Sequence, residues 1–258
     1  MKYLKGIDVS EHQGVIDWPK VKESGINFVM IRAGYGKNNI DKQFVNNITT
    51  CNRLGIPCGV YWFSYAYTDE MAKNEAEYCI AAIKPYKVEF PVVFDFEYDS
   101  VNYAAKKGVT VSKTLASNLV KAFCDTVENA GYFAMNYANQ DYLNRYFAGA
   151  AKTDYDLWLA EWPSDPNFEN PPACGIWQYT SKGKVDGIKG NVDMNITYND
   201  YSEIIKNAGL NKLVKQESTK WYSDAQKWVI EKGISDGTRP EEPTTRAEVW
   251  AMLQRLSK

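Results

Sequence analysis

The chain has 258 residues, 45% of them hydrophobic and 24% charged, and its 30 basic and 32 acidic side chains leave a net charge of −2 at pH 7. Such a length suits one large α/β domain, or a domain of about 200 residues with a small appendage, and the near-neutral balance leaves no basic footprint for nucleic acid or anionic lipid. Five cysteines, odd in number and without C-x-x-C spacing, read as small buried thiols from a reducing compartment, and a single histidine, His12, excludes a His-rich metal centre.

No stretch approaches the ~18 apolar residues of a membrane span. The opening "MKYLKGIDVSEHQG" lacks the apolar core of a signal peptide. If the protein works outside a cell, something other than its own leader is expected to take it there. From there, "KGIDVS", "NFVMIRAG", "PCGVYWFSYA", "FPVVFDFE", "YFAMNYA" and "YDLWLAEW" read as strands, rich in β-branched and aromatic residues and bounded by Gly, Pro or polar residues. Between them "DWPKVKESG", "IDKQFVNNITTCNRLG", "TDEMAKNEAEYCIAAIKP", "SKTLASNLVKAFCDTVENAG" and "DYLNRYFAG" carry helical spacing, several ending in the Gly common at helix C-termini.

This alternation predicts parallel strands joined by crossover helices, in a barrel or a doubly wound sheet. No G-x-G-x-x-G or G-x-x-x-x-G-K-[ST] follows a strand, so nucleotide binding lacks support. After Pro163, "GIWQYTS", "KVDGIKG" and "NVDMNITY" read as short strands without room for helices, which predicts closure of a barrel by antiparallel strands. The expected boundaries are a catalytic barrel over residues 1–207, a linker over 208–220 and a small helical module over 221–258. In that module Thr245 and Glu248 have capping-box spacing, and a piece so short cannot build a sufficient core alone.

Within "PVVFDFEYDS", alternation puts Asp95 and Glu97 on one face with Val93, and Phe94 and Phe96 on the other. In parallel β/α barrels the C-terminal ends of strands carry the active site. Two carboxylates in one partly dry site cannot both ionise easily, which keeps a proton on one of them. A carboxylic acid beside a carboxylate is the equipment for cleaving a glycosidic bond. Asp8, ending the first strand in "GIDVSEHQG", and Asp193, in the last strand "GNVDMN", would join the pair once a barrel closes. Taken singly, each Asp at a strand end also suits a turn or a cap, and clustered carboxylates also suit Mg²⁺ or Ca²⁺. The 8 Trp and 18 Tyr are a surplus of rings of the kind that sugar clefts and interfaces use.

The segments "KGIDVSEHQGVIDWPKVKESGINFVMIRAGYG", "GVYWFSYA", "PVVFDFE" and "GIWQYTSKGKVDGIKGNVDMN" resemble, in order and spacing, the glycoside hydrolase family 25 lysozymes, the Chalaropsis-type N-acetylmuramidases common as phage endolysins. The resemblance implies an irregular TIM-like β/α barrel and hydrolysis of the β-1,4 bond between N-acetylmuramic acid and N-acetylglucosamine in peptidoglycan, with no cofactor or metal. It implies release to the wall by holin-type lysis. It places the catalytic set on Asp8, Asp95, Glu97 and Asp193, with Glu97 as general acid and then base. Asp95 either orients the substrate's 2-acetamido group, the reading favoured here, or attacks the sugar itself. An i,i+2 pair has Cα atoms only about 6.5–7 Å apart, so spacing does not choose between the two.

By the same resemblance Tyr61, Tyr137 and Trp158 line the cleft, although Trp158 equally suits core packing, and Arg32 pairs with the acids or forms a barrel-interior salt bridge. His12 is loop-borne. The tail "WYSDAQKWVIEKGISDG…TTRAEVWAMLQRL" resembles a single S-layer homology motif. That implies binding of a secondary wall polymer, with Arg246 as a contact; packing on the barrel and homodimerisation through residues 221–258 are equal alternatives. Two other function classes compete: a protein that grips peptidoglycan on the same barrel without cutting it, and a metal-dependent esterase.

Overall fold

The structure is a computed structural model and describes residues 3–149, 152, 154–212, 223–236, 238 and 244–256. Its coordinates group into two units, residues 1–213 and 214–258. The first holds strands β1 (Leu4–Val9), β2 (Phe28–Tyr35), β3 (Asn39–Ile40), β4 (Cys58–Phe63), β5 (Val92–Asp95), β6 (Ala134–Asn139), β7 (Asp156–Ala160), β8 (Ile176–Gly183) and β9 (Val192–Thr197). It also holds helices α1 (Trp18–Glu23), α2 (Phe44–Leu54), α3 (Asp69–Ile83), α4 (Tyr98–Lys106), α5 (Lys113–Asn129), α6 (Gln140–Arg145) and α7 (Tyr201–Ala208).

Pairing runs in parallel from β1 through β2, β4, β5, β6 and β7 to β8, and β9 closes the ring antiparallel to both β8 and β1. Strand β3 is a short addition on β2, outside the ring. The strands are buried on both faces, as parallel sheets under helices must be. Phe28, Met30, Val93, Met135 and Ile176 fill the barrel's interior, while their neighbours Val29, Ile31, Val92 and Phe94 pack outward with Ile48, Ala76, Cys79 and Phe123 of the helices. Local chemistry starts and stops the helices. Thr68 and Ser112 accept from the N–H of Met71 and Leu115 to cap α3 and α5, and Gly55 ends α2 in the left-handed conformation at φ 65.

The barrel expected from the β-α alternation is present, with three differences of detail. "KVDGIKG" is a loop between β8 and β9, because Gly187 and Gly190 sit at φ +96 and +87 and the Gly187 carbonyl accepts from Asp17 N–H at 2.9 Å instead of a strand. Strand β8 is parallel to β7, so β9 alone among the strands of the ring runs antiparallel. Helices α4 and α7 were not read from the sequence. The signals for α7 were in place, an Asp200 cap accepting from Glu203 N–H and Gly209 at its end. The barrel also holds its chain beyond residue 207: Asn211 bonds to the backbone of Gly131, Phe133 and Phe90.

The second unit contains α8 (Ser223–Glu231) and α9 (Arg246–Leu256). Thr245 and Glu248 form the capping box read from their spacing, with Glu248 N–H to Thr245 Oγ1 at 3.3 Å and Thr245 N–H to Glu248 Oε2 at 2.8 Å. Most of the expected linker over 208–220 lies outside the described residues.

Gly6 on β1 tests the interior packing. A Cβ there would come 2.3 Å from the ring of Phe28, which is itself stacked on Phe90 at 4.6 Å. Gly6→Ala is expected to destabilise the barrel by about 1–3 kcal/mol, the usual range for overpacking, read as a lower midpoint in urea; an unchanged midpoint would show that the ring can move aside.

Candidate active site

At the C-terminal end of the parallel strands lies a cavity of about 340 Å³. Strand β5 places Asp95 there, on the Val93 face, with Phe63 and Tyr137 as its cross-strand neighbours. The strand stops at Asp95, but the extended backbone continues through Glu97 (φ −127, ψ −170), which is also the residue that starts α4. Phe94 and Phe96 stack at 6.1 Å on the opposite side, so alternation holds one step past the strand. Glu97 donates its N–H to Ser100 Oγ at 3.0 Å, which fixes the turn into the helix.

Because β9 runs antiparallel to β1, Asp193 sits directly opposite Asp8. Such partners have Cβ atoms only about 4.5–5.5 Å apart, close enough for the charge of Asp193 to hold the Asp8 carboxyl up. Asp8 Oδ2 also accepts from Gln178 Nε2 at 2.9 Å and Asn195 Nδ2 at 2.8 Å. The orientation of those amides is imposed from behind. Trp158 Nε1 donates to Asn195 Oδ1 at 2.8 Å and Trp162 Nε1 donates to Gln178 Oε1 at 3.1 Å. An indole N–H can only donate, so each amide must turn its oxygen to the Trp and its NH₂ to Asp8.

All four acids are held above their ordinary ionisation range. Burial is the first cause for each. Asp8 is raised further by the charge of Asp193, and Asp95 by those of Glu97 and Asp8, against a lowering by Arg32. A hydrogen bond from Tyr137 lowers Glu97, while Asp193 and Asp99 raise it. Asp95 is 6% exposed, and its Oδ1 has no hydrogen-bond partner in the protein. Burial and the neighbouring acids push the Tyr61 and Tyr137 phenols well up, which keeps them protonated donors.

The four acids, Tyr61, Tyr137, Trp158 and Arg32 all line this cavity, whereas Arg246 lies in α9. Tyr61 and Tyr137 flank Trp158 edge-on, at centroid distances of 5.8 and 5.0 Å. Trp158 serves both expected roles, packed in the barrel interior and lining the cavity. Arg32 also lines the cavity, yet its ion pairs go to Asp41 at 2.8 Å and Glu11 at 3.1 Å rather than to the four acids. It is thus the interior salt bridge and acts on the acids through its charge. His12, in a one-turn helix capped by Ser10, lines the rim. Sequence reading missed Gln178, Asn195, Trp162 and Phe63. Asn195 had a signal, since it stands two residues from Asp193 as Glu97 does from Asp95. Among the described residues no group of three His, Cys, Asp or Glu side chains is placed to hold a metal ion.

A carboxyl whose folded pKa is raised keeps its proton in the folded chain where the unfolded chain has already released it. Stability from that proton is complete below the unfolded value, about 3.9 for Asp, and is lost as pH rises through the folded value. Asp193→Asn, which removes one such group, is therefore expected to raise the denaturant midpoint at pH 7, with the advantage shrinking as pH falls toward 4. An advantage that grows on acidification would refute the raised ionisation of this pair.

Residues 7–188 match the family model described as "Glycosyl hydrolases family 25". The lysozyme M1 of Streptomyces globisporus is 29% identical over 207 residues, 74% of this chain and 67% of that protein. The autolytic lysozyme of Clostridium acetobutylicum is 27% identical over 194 residues, 74% of this chain and 55% of its own length. Among solved structures, the modular autolysin LytC of Streptococcus pneumoniae, in complex with a synthetic peptidoglycan ligand, superposes with a TM-score of 0.65 at 32% identity. That match covers 76% of this chain and 47% of LytC, so the chain spans about half the length of that relative. A family 25 glycosyl hydrolase from Bacillus anthracis matches with a TM-score of 0.64 at 27% identity, over 79% of this chain and 92% of that one.

Proposed function

The chain belongs to glycosyl hydrolases family 25, and from that premise we propose that it is an N-acetylmuramidase, cleaving the β-1,4 bond between N-acetylmuramic acid and N-acetylglucosamine of bacterial peptidoglycan. The observation that carries the reading is the set of four carboxyls around one cavity, with Asp95 and Glu97 on a shared face and Asp8 directly across from Asp193. A protein that only grips the polymer has no use for four acids all held above their ordinary ionisation range.

In this reading Glu97 is the general acid. Its carboxyl gives a proton to the glycosidic oxygen as the bond to C1 breaks, and the resulting carboxylate later takes a proton from the attacking water. Asp95 accepts the N–H of the sugar's 2-acetamido group. That aligns the acetamido oxygen on C1, where it forms a cyclic intermediate that water opens with net retention. Asp8 and Asp193, both held above the ordinary carboxyl range, keep the site's charge down and face the sugar. Support for a wall target also comes from the names of the relatives, two of them lysozymes and one an autolysin seen with a peptidoglycan ligand. The reading carries two further expectations: that the enzyme meets its wall after release from the cell that makes it, and that unit 214–258 contributes wall-polymer binding or self-association.

Glu97→Gln is expected to lower clearing of Gram-positive cell walls by about 10²–10⁴-fold, and muramic acid should appear at the new reducing ends of wild-type digests. Activity within tenfold of wild type in the Gln variant, or N-acetylglucosamine at the new ends, would overturn the assignment. A second measurement isolates the acid. Tyr137 favours the ionised form of Glu97, so Tyr137→Phe should let Glu97 hold its proton to higher pH and move the alkaline limb of the pH–rate profile upward; a limb that stays put belongs to another group.

A further inference from the structure

Beside the catalytic cavity lies a second one of about 520 Å³ that the hydrolysis described above does not use. Its lining includes Tyr35 from β2, Tyr65 and Tyr67 after β4, and Tyr103 from α4. All four rings are half-buried. They stand tilted to one another, Tyr65 to Tyr103 at 5.0 Å and 56°, and Tyr67 to Tyr103 at 6.2 Å and 41°. The two cavities share a wall. Phe63, which lines the catalytic one, has its ring 5.2 Å from Tyr65, and Arg32 lies 5.4 Å over the ring of Tyr35.

One acid lines this second cavity. Glu75, on α3, is 2% exposed; its Oε1 accepts from Tyr65 N–H at 3.0 Å, and its Oε2 has no hydrogen-bond partner in the protein. A buried carboxyl with an unpartnered oxygen is costly, and burial pushes it up to about 7 against a lowering by Ser64 and the Tyr65 N–H. Lys37, also in the lining, is exposed, and Lys107 Nζ sits 5.3 Å over the Tyr103 ring. The acid is therefore inside and the bases are outside.

Tyrosine faces attract cations, and an ammonium held among them would compensate the charge that Glu75 carries when ionised behind them. A neutral sugar would leave that buried charge uncompensated. The lysines suit carboxylates flanking such an amine. Peptidoglycan carries groups of this kind next to its glycan, in peptide arms that bear an amine among several carboxylates. Resting on the muramidase reading, we propose that the tyrosine cleft binds an amine-bearing peptide arm of the wall polymer, its ammonium against Glu75 within the tyrosine rings and its carboxylates toward Lys37.

The test titrates the full chain with the peptide L-Ala-γ-D-Glu-L-Lys-D-Ala, and with the same peptide acetylated on its lysine ε-amine, by calorimetry. Wild type should bind the free amine about tenfold or more tightly than the acetylated form, the worth of one charge-assisted hydrogen bond. Glu75→Gln should lose that preference while cleaving peptide-free glycan as wild type does. Should Glu75→Gln fold poorly, Lys37→Glu on the exposed rim should weaken binding of the free peptide in its place. Equal binding of the two peptides to wild type overturns the proposal. So does a peptide-free glycan tetramer that binds the cleft in their stead and is lost in Tyr67→Ala, which would mark a saccharide site. Absence of wall hydrolysis by wild type would sink the muramidase reading instead, a readout separate from peptide titration.

Discussion

The antiparallel closure of the barrel by β9 is the constraint on which the site depends. Had the last strand entered parallel, as the others do, Asp193 could not lie across from Asp8 at the C-terminal rim. The hairpin from β8 makes that reversal possible. Its loop carries Gly187 and Gly190 at positive φ, conformations that residues with a Cβ rarely adopt. A topological choice thus becomes an electrostatic one, because two carboxyls in register make it costly for both to ionise.

The rest of the cavity manages the consequence. Asp8 alone receives two amide donors, and those amides are themselves fixed by two indoles, one buried and one exposed. This is a fully connected polar network, in which each buried group constrains the next. Asp95 is the exception, with one oxygen left open in a site otherwise satisfied. Sites of this kind lower the stability of the fold that carries them. Below the cavity the barrel is correspondingly apolar: Phe28 stacked on Phe90, with Met30, Val93 and Met135 around them and Gly6 leaving the room the rings require.

Much of this was legible in the sequence because it rests on period-two alternation. Val93, Asp95 and Glu97 could be placed on one face from spacing alone, and the parallel barrel followed from alternating strand and helix patterns. What escaped was of two kinds. Helix α4 is capped by Glu97 itself, so the residues that open it had already been read as the end of a strand. The orienting role of Trp158 and Trp162 spans 37 and 16 residues of sequence, and no local pattern links an indole to the amide it fixes. Arg32 shows the same limit: its partners Glu11 and Asp41 are set by how two loops fold against β2, not by its place on the strand.

The proton inventory of the resting cavity bears on how Asp95 would work in a muramidase. The protein supports an ionised Glu97 through Tyr137, whereas Asp95 has no donor at Oδ1 and two acids nearby, offset only by the charge of Arg32. Burial holds both carboxyls up, so neither ionises freely. A substrate N–H donated to Asp95 would favour its ionised form, since a donor favours the carboxylate, and an ionised Asp95 in turn holds Glu97 protonated. Substrate that carries a 2-acetamido group would thus set the acid in its working form as it binds, and a sugar lacking that group would leave it unset. Asp95 would then be the point at which the site distinguishes its substrate, before any bond is broken.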